Sequence, residues 1–177
     1  MEPIHLNAAD DPRLAPYRNL RTKADEGSFI VESEFAVMRL LARRDYCRYE
    51  VEQKYARKYP VDDLDLVLDA LEQDGYLSDE RFVGAFVRNK LSQSYGLKRI
   101  SFDLKQKKVP DSLLMRVLDE LDPDWFELAQ DAWSRRFREP PAGDYKVFGK
   151  QMRYLLQRGF SMDEARAAIE SAGEIED

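Results

Sequence analysis

Few residues in this chain have types and spacings that could do covalent chemistry. Cys47 could serve as a nucleophile with a base beside it, but the only histidine, His5, lies far away in the N-terminal segment. One Cys and one His cannot assemble a Cys/His metal site, and the lone Cys47 cannot form an internal disulfide, as expected in a reducing compartment. Asp62-Asp63 and Ser78-Asp79-Glu80 offer paired carboxylates, yet both fall where helices should start. There they would cap free N–H groups and meet the positive end of the helix dipole, so we read them as capping groups rather than as acid/base pairs. Gly75, Gly84 and Gly96 form neither a GxGxxG turn nor a P-loop, so no glycine cradle for a nucleotide is expected. No cofactor and no enzymatic activity are expected.

The chemistry that remains is electrostatic. The net charge of the 177 residues is −6, which disfavours a protein built to coat nucleic acid. The distribution is uneven, however. From Arg88 to Lys108 there are seven basic residues against the single acid Asp103, a local charge of about +6. Acid is concentrated elsewhere, from Asp62 to Asp79 and in the tail from Glu170 to Asp177. Lys98, Lys105 and Lys108 recur near the helical period opposite Ile100 and Leu104, a basic stripe facing away from the core. Arg135, Arg136, Lys146, Lys150 and Arg153 continue it on neighbouring segments. Phe82, Phe86, Trp125 and Trp133 also sit at helical spacing and belong in a core. Tyr95 alone is left as an exposed aromatic that could stack on a base.

The elements that position these residues follow a pattern written three times, at a spacing of roughly 50 residues. Arg44-Asp45-Tyr46 leads through Val61-Asp62-Asp63 to Val67-Leu68-Asp69-Ala70-Leu71-Glu72. Gln93-Ser94-Tyr95 leads through Val109-Pro110-Asp111 to Val117-Leu118-Asp119-Glu120-Leu121-Asp122. Gly143-Asp144-Tyr145 leads through Phe160-Ser161-Met162-Asp163-Glu164 to Ala168-Ile169-Glu170. In this register Tyr46, Tyr95 and Tyr145 coincide, as do Val61, Val109 and Phe160. Each period accommodates about three short helices, and stacked units would bury an elongated core. No period-two alternation of β-branched residues occurs, so the chain is expected to be all-α, with three tandem three-helix repeats stacked into an elongated, curved domain.

We place an irregular leader at 1–32, repeats at 33–77 and 78–122, and a third repeat with an acidic tail at 123–177. Ser33 is expected to cap the first helix, Asp62 or Asp63 the third, and Asp122 the helix opened by Pro123. Pro60 and Gly75 are stop signals, and Ala165, Ala168 and Ile169 are expected to finish the fold weakly. No apolar run approaches the roughly 18 residues that a membrane span needs, and no secretory signal opens the chain, so a cytoplasmic protein is expected.

Several segments in register resemble one family. Leu40-Leu41-Ala42-Arg43-Arg44-Asp45-Tyr46, Asp74-Gly75-Tyr76-Leu77-Ser78-Asp79-Glu80-Arg81-Phe82, Ser94-Tyr95-Gly96-Leu97-Lys98-Arg99-Ile100 and Arg153-Tyr154-Leu155-Leu156-Gln157-Arg158-Gly159-Phe160 are similar to the motifs of RecX, the regulator of the bacterial recombinase RecA. The likeness runs from about Arg39 to Ala172. It implies a protein that lies in the helical groove of a RecA filament on DNA and mainly inhibits recombinase, ATPase and co-protease activity. It also implies that Arg81, Arg88, Lys98 and Arg99 contact filament or DNA, with pairing to Asp79 or Asp74 as the structural alternative for Arg81; the basic stripe and its flanks add Lys90, Lys105, Lys108, Arg135, Arg136, Lys150 and Arg153 as expected contacts. RecA and its DNA filament are the expected partners, with weak or indirect DNA contact, no membrane, and a monomeric chain.

Two departures from the family pattern carry a physical cost. Leu97 replaces a first-turn proline, and Lys108 replaces a glycine where the backbone needs positive φ, each at about 1 kcal/mol or less. A second resemblance is confined to the leader, where Asp11-Pro12-Arg13-Leu14-Ala15-Pro16-Tyr17-Arg18 looks like the start of SpoU-type RNA ribose methyltransferases. The rival readings are therefore a helical-repeat scaffold for an unrelated protein partner, and an RNA-associated enzyme fragment that would have to bind a methyl donor.

Overall fold

The computed structural model describes residues 29–174, so the leader reading up to residue 28 lies outside the described residues, whereas Ile30 to Glu32, also read as leader, belong to a helix. Among the described residues the chain is all-α, with nine helices and no strand. In order these are α1 (Ile30–Leu41), α2 (Arg48–Tyr55), α3 (Val61–Gln73), α4 (Asp79–Ser92), α5 (Leu97–Lys105), α6 (Asp111–Leu121), α7 (Trp125–Ser134), α8 (Tyr145–Gln157) and α9 (Met162–Glu174). They divide into two compact units, one through Ser78 and one from Asp79. In every set of three, the first and third helices pack on each other. The second helix closes the set and keeps one side toward solvent.

The first unit is built on apolar residues at helical spacing. Val37 and Leu40 of α1 meet Leu64, Val67, Leu68 and Leu71 of α3, and Val51 supplies the buried residue of α2. Gly75 ends α3 with φ +75, the conformation for which a glycine is needed. The start of α1 differs from expectation. The helix begins at Ile30, and Ser33 lies buried inside it with its hydroxyl donating to the Ile30 carbonyl at 3.0 Å, so it caps nothing. Asp63 accepts the Phe29 N–H at 2.7 Å and so holds the entry to α1, while α3 starts behind Pro60 without a side-chain cap.

In the second unit α4 contributes Phe82, Val83 and Val87, α5 contributes Ile100 and Leu104, and α6 contributes Leu114, Val117 and Leu118 to the buried set. The closing helix α9 is far from weak. Ala165, Ala168 and Ile169 are buried against Ala129, Ala132 and Trp133 of α7, because small side chains on both faces let two helix backbones approach closely. Asp124, rather than Asp122, caps α7, accepting the Phe126 and Glu127 N–H groups at 2.9 and 3.0 Å. Asp122 instead ends α6 in the left-handed region at φ +40.

The structure also corrects the internal register. Val61 is 63% exposed, whereas Val109 and Phe160 are buried; their counterpart is the buried Tyr59. Tyr59-Pro60, Val109-Pro110 and Phe160-Ser161 each bury one residue just before a third helix begins. Tyr46 and Tyr95 precede the N-caps Cys47 and Gly96, but Tyr145 follows its N-cap Asp144 and is 90% exposed.

Candidate interface on the second and third repeats

The basic stripe is positioned by α5 and by what holds its first turn. Ile100 and Leu104 fix the inner face, leaving Lys98, Arg99, Phe102 and Lys105 at the surface. The first turn of a helix has N–H groups without intrahelical partners. Here two of them are satisfied from the third repeat: Gly96 N–H donates to the Arg158 carbonyl at 2.9 Å, and Lys98 N–H to the Gly159 carbonyl at 3.0 Å. The approach requires glycine on both sides. A Cβ on Gly96 would stand 2.4 Å from the Gly159 carbonyl carbon, and one on Gly159, at φ +96, would stand 2.3 Å from the Arg99 nitrogen.

Arg158 completes this joint. Its guanidinium donates to the Ser94 carbonyl at 3.1 Å and to the Gln93 carbonyl, while Arg135 donates to the Ser92 carbonyl at 3.1 Å. Two cations from the third repeat thus serve the carbonyl end of α4, where the helix dipole favours positive charge. The turn brings Ser94 to φ +53 with its side chain fully buried, and its hydroxyl makes no hydrogen bond among the described residues.

The expected contact residues therefore fall into two groups. Lys90 is turned inward, with its ammonium 2.6 Å from Asp103 and 4.6 Å from the centre of the Tyr95 ring. Arg99 bonds the other Asp103 oxygen at 3.0 Å. Partial burial works to raise the Asp103 carboxyl, but the Lys90 and Arg99 hydrogen bonds and charges outweigh it and hold the group below its ordinary value. Tyr95, left open as a stacking platform, is half-buried, and Lys90 and Arg158, whose guanidinium carbon is 4.3 Å from the ring centre, already engage it. Arg88 is exposed and folds back over Gly84 of its own helix.

Outside these contacts, Lys98 and Lys105 on α5 and Lys150 and Arg153 on α8 are exposed, with side chains in no ion pair or hydrogen bond among the described residues. Arg136 is exposed beside Phe137. Arg81 and Lys108 are exposed, and Lys108 holds the expected positive φ, +55. Sequence reasoning missed Arg158, whose place just before a helix-ending glycine was the available signal, and Phe102, an apolar residue on the polar side of α5 and 56% exposed.

Residues 78–118 match the second three-helix domain of RecX, and residues 122–169 match the third. The regulatory protein RecX of Chromohalobacter salexigens is 39% identical over 138 residues, covering 77% of this chain and 90% of the relative. The chain belongs to the RecX family. The regulatory protein RecX of Vibrio campbellii is 36% identical over 140 residues, covering 78% of this chain and 90% of its own length. A crystal structure of RecX from Lactobacillus salivarius superposes with a TM-score of 0.69 at 21% identity, over 82% of this chain and 97% of that one. At that identity the likeness concerns the fold, which is the all-α RecX repeat fold. Among the described residues no helix is long and apolar enough to cross a membrane, and no group of His, Cys, Asp and Glu is arranged to hold a metal ion.

Proposed function

We propose that this chain is a cytoplasmic, monomeric regulator that binds RecA and its filaments on DNA. It mainly inhibits their recombinase, ATPase and co-protease activities and performs no reaction of its own. The observation that carries the reading, given membership of the RecX family, is the set of cations on the second helices that the fold leaves unspent: Lys98 and Lys105 on α5, Lys150 and Arg153 on α8. Arg81, Arg88, Arg136 and Lys108 extend this surface, Arg99 shares its charge with Asp103, and Lys90 and Arg135 act within the protein. DNA contact is weak or indirect, because a net charge of −6 opposes approach to phosphate except through this face.

The test is the ATPase rate of RecA on single-stranded DNA as the chain is titrated in at fixed salt. Inhibition at or below stoichiometric amounts is expected, and Lys98→Glu with Lys105→Glu should remove it while the protein keeps its helical content. A folded wild-type chain without effect on RecA would point to a scaffold for another protein.

A further inference from the structure

Helix α5 carries an apolar residue on its cationic side. Phe102 is 56% exposed and its ring makes no ring contact among the described residues, although α5 is otherwise well divided between a buried Ile100/Leu104 side and a polar side. Lys98 lies four residues before it and Lys105 three residues after it, so the three side chains share one helix face. The acid nearest in sequence, Asp103, is turned to Lys90 and Arg99 and does not offset Lys98 or Lys105. The face is thus an aromatic residue set between two unspent cations, on a helix whose first turn is fixed by the Gly96–Gly159 joint.

We infer that Phe102 is the apolar anchor of the docking surface on α5, and that its partner is a protein surface with an apolar pocket rimmed by carboxylates. The inference rests on the proposed function and identifies the chemistry of contact on the RecA side. Charge complementarity sets the rim, since Lys98 and Lys105 call for anions on both sides of the ring. Aromatic residues, Phe among them, are enriched at interface cores, and the side chains that carry most of the binding energy sit near the centre in desolvated pockets. Single-stranded nucleic acid is the weaker match. The two unspent cations of this α5 face would release only about 0.7 counterion each, a shallow salt dependence and little affinity.

The experiment compares the full-length wild-type chain with Phe102→Ala, Phe102→Leu and the Lys98→Ala/Lys105→Ala pair in two titrations. One measures inhibition of the RecA ATPase on single-stranded DNA, the other anisotropy of a labelled oligothymidylate without RecA. Circular dichroism checks folding, and an exposed side chain should be replaceable without loss of helix. Phe102→Ala is expected to raise the half-inhibitory concentration by about tenfold or more, with Phe102→Leu recovering part of the loss. Oligothymidylate binding should not change. A Phe102→Ala protein that inhibits like wild type overturns the anchor and leaves the proposed function standing. Parallel losses in both titrations would replace the protein pocket with a nucleic-acid platform. Absence of any wild-type effect on RecA would overturn the proposed function, and the partner named here with it.

Discussion

Helices α2 and α5 hold the same place in their repeats and spend their charge in opposite ways. In α2 the first residue, Arg48, is surrounded by acid: its guanidinium reaches Glu52 at 2.9 Å, Asp65 at 3.3 Å, Asp69 at 2.7 Å and Glu72 at 3.0 Å. Burial works to lower this arginine's pKa, and the hydrogen bonds to Asp69 and Glu52 with the charges of Glu72 and Asp69 raise it well above the ordinary value. In α5 the surplus is reversed, with one carboxylate, Asp103, taken by two cations while Lys98 and Lys105 remain outside. The same helical frame thus uses charge to tie helices together in the first unit and to leave a surface available in the second repeat. Electrostatic function depends on which charges remain after internal pairing, not on how many the segment contains.

The strongest way to break the comparison is to disturb the joint that holds α5. Gly159→Ala adds a methyl group 2.3 Å from the Arg99 backbone at a positive φ, so it should cost about 3 kcal/mol or more and lower the urea midpoint markedly. Gly75→Ala, also at positive φ but with nothing within 4 Å of its added methyl group, should cost less, about 1 kcal/mol, which separates backbone strain from collision.

Arg48→Ala comes next. Removing one cation that serves four carboxylates leaves them facing one another, and a loss of about 2 kcal/mol is expected by thermal or urea unfolding, larger at low salt. If the variant is as stable as wild type, α2 and α3 are held by apolar packing alone and the contrast with α5 loses its electrostatic content.

The smallest effect sharpens the comparison through pH. The folded Asp103 has a pKa depressed below its ordinary 3.8, so at intermediate pH the unfolded chain binds more protons than the folded one. Its stabilisation is complete above the ordinary value and is lost as pH falls through the lower, folded value. Asp103→Asn should therefore be about 1 kcal/mol less stable than wild type at pH 7, and the difference should close in acid below the ordinary carboxylate range. A difference that persists unchanged at low pH would mean that Asp103 acts by shape rather than by charge.

Local features of the sequence were sufficient for helix type and for most core positions. Ile100 and Leu104, Val67 and Leu71, or Ala129 and Trp133 are legible because burial repeats with the helical turn. Helix beginnings were less legible, since a capping side chain competes with tertiary partners: Asp63 serves Phe29 rather than its own helix, and α5 takes its first-turn partners from the third repeat. The repeat register slipped for a related reason. Tyr145 matches Tyr46 and Tyr95 as a letter, but the cap Asp144 precedes it and puts it in the helix, on the surface.

By itself the sequence determined an all-α repeat fold, the family motifs and a local excess of cations around α5. Those properties follow from composition and from periodicities of a few residues. Only the tertiary structure decided which cations stay available, because Arg48 meets Asp69 and Glu72, Lys90 meets Asp103, and Arg158 meets the Ser94 carbonyl across long separations in the chain. Pairing at such range is fixed by how helices pack, and no local pattern records it.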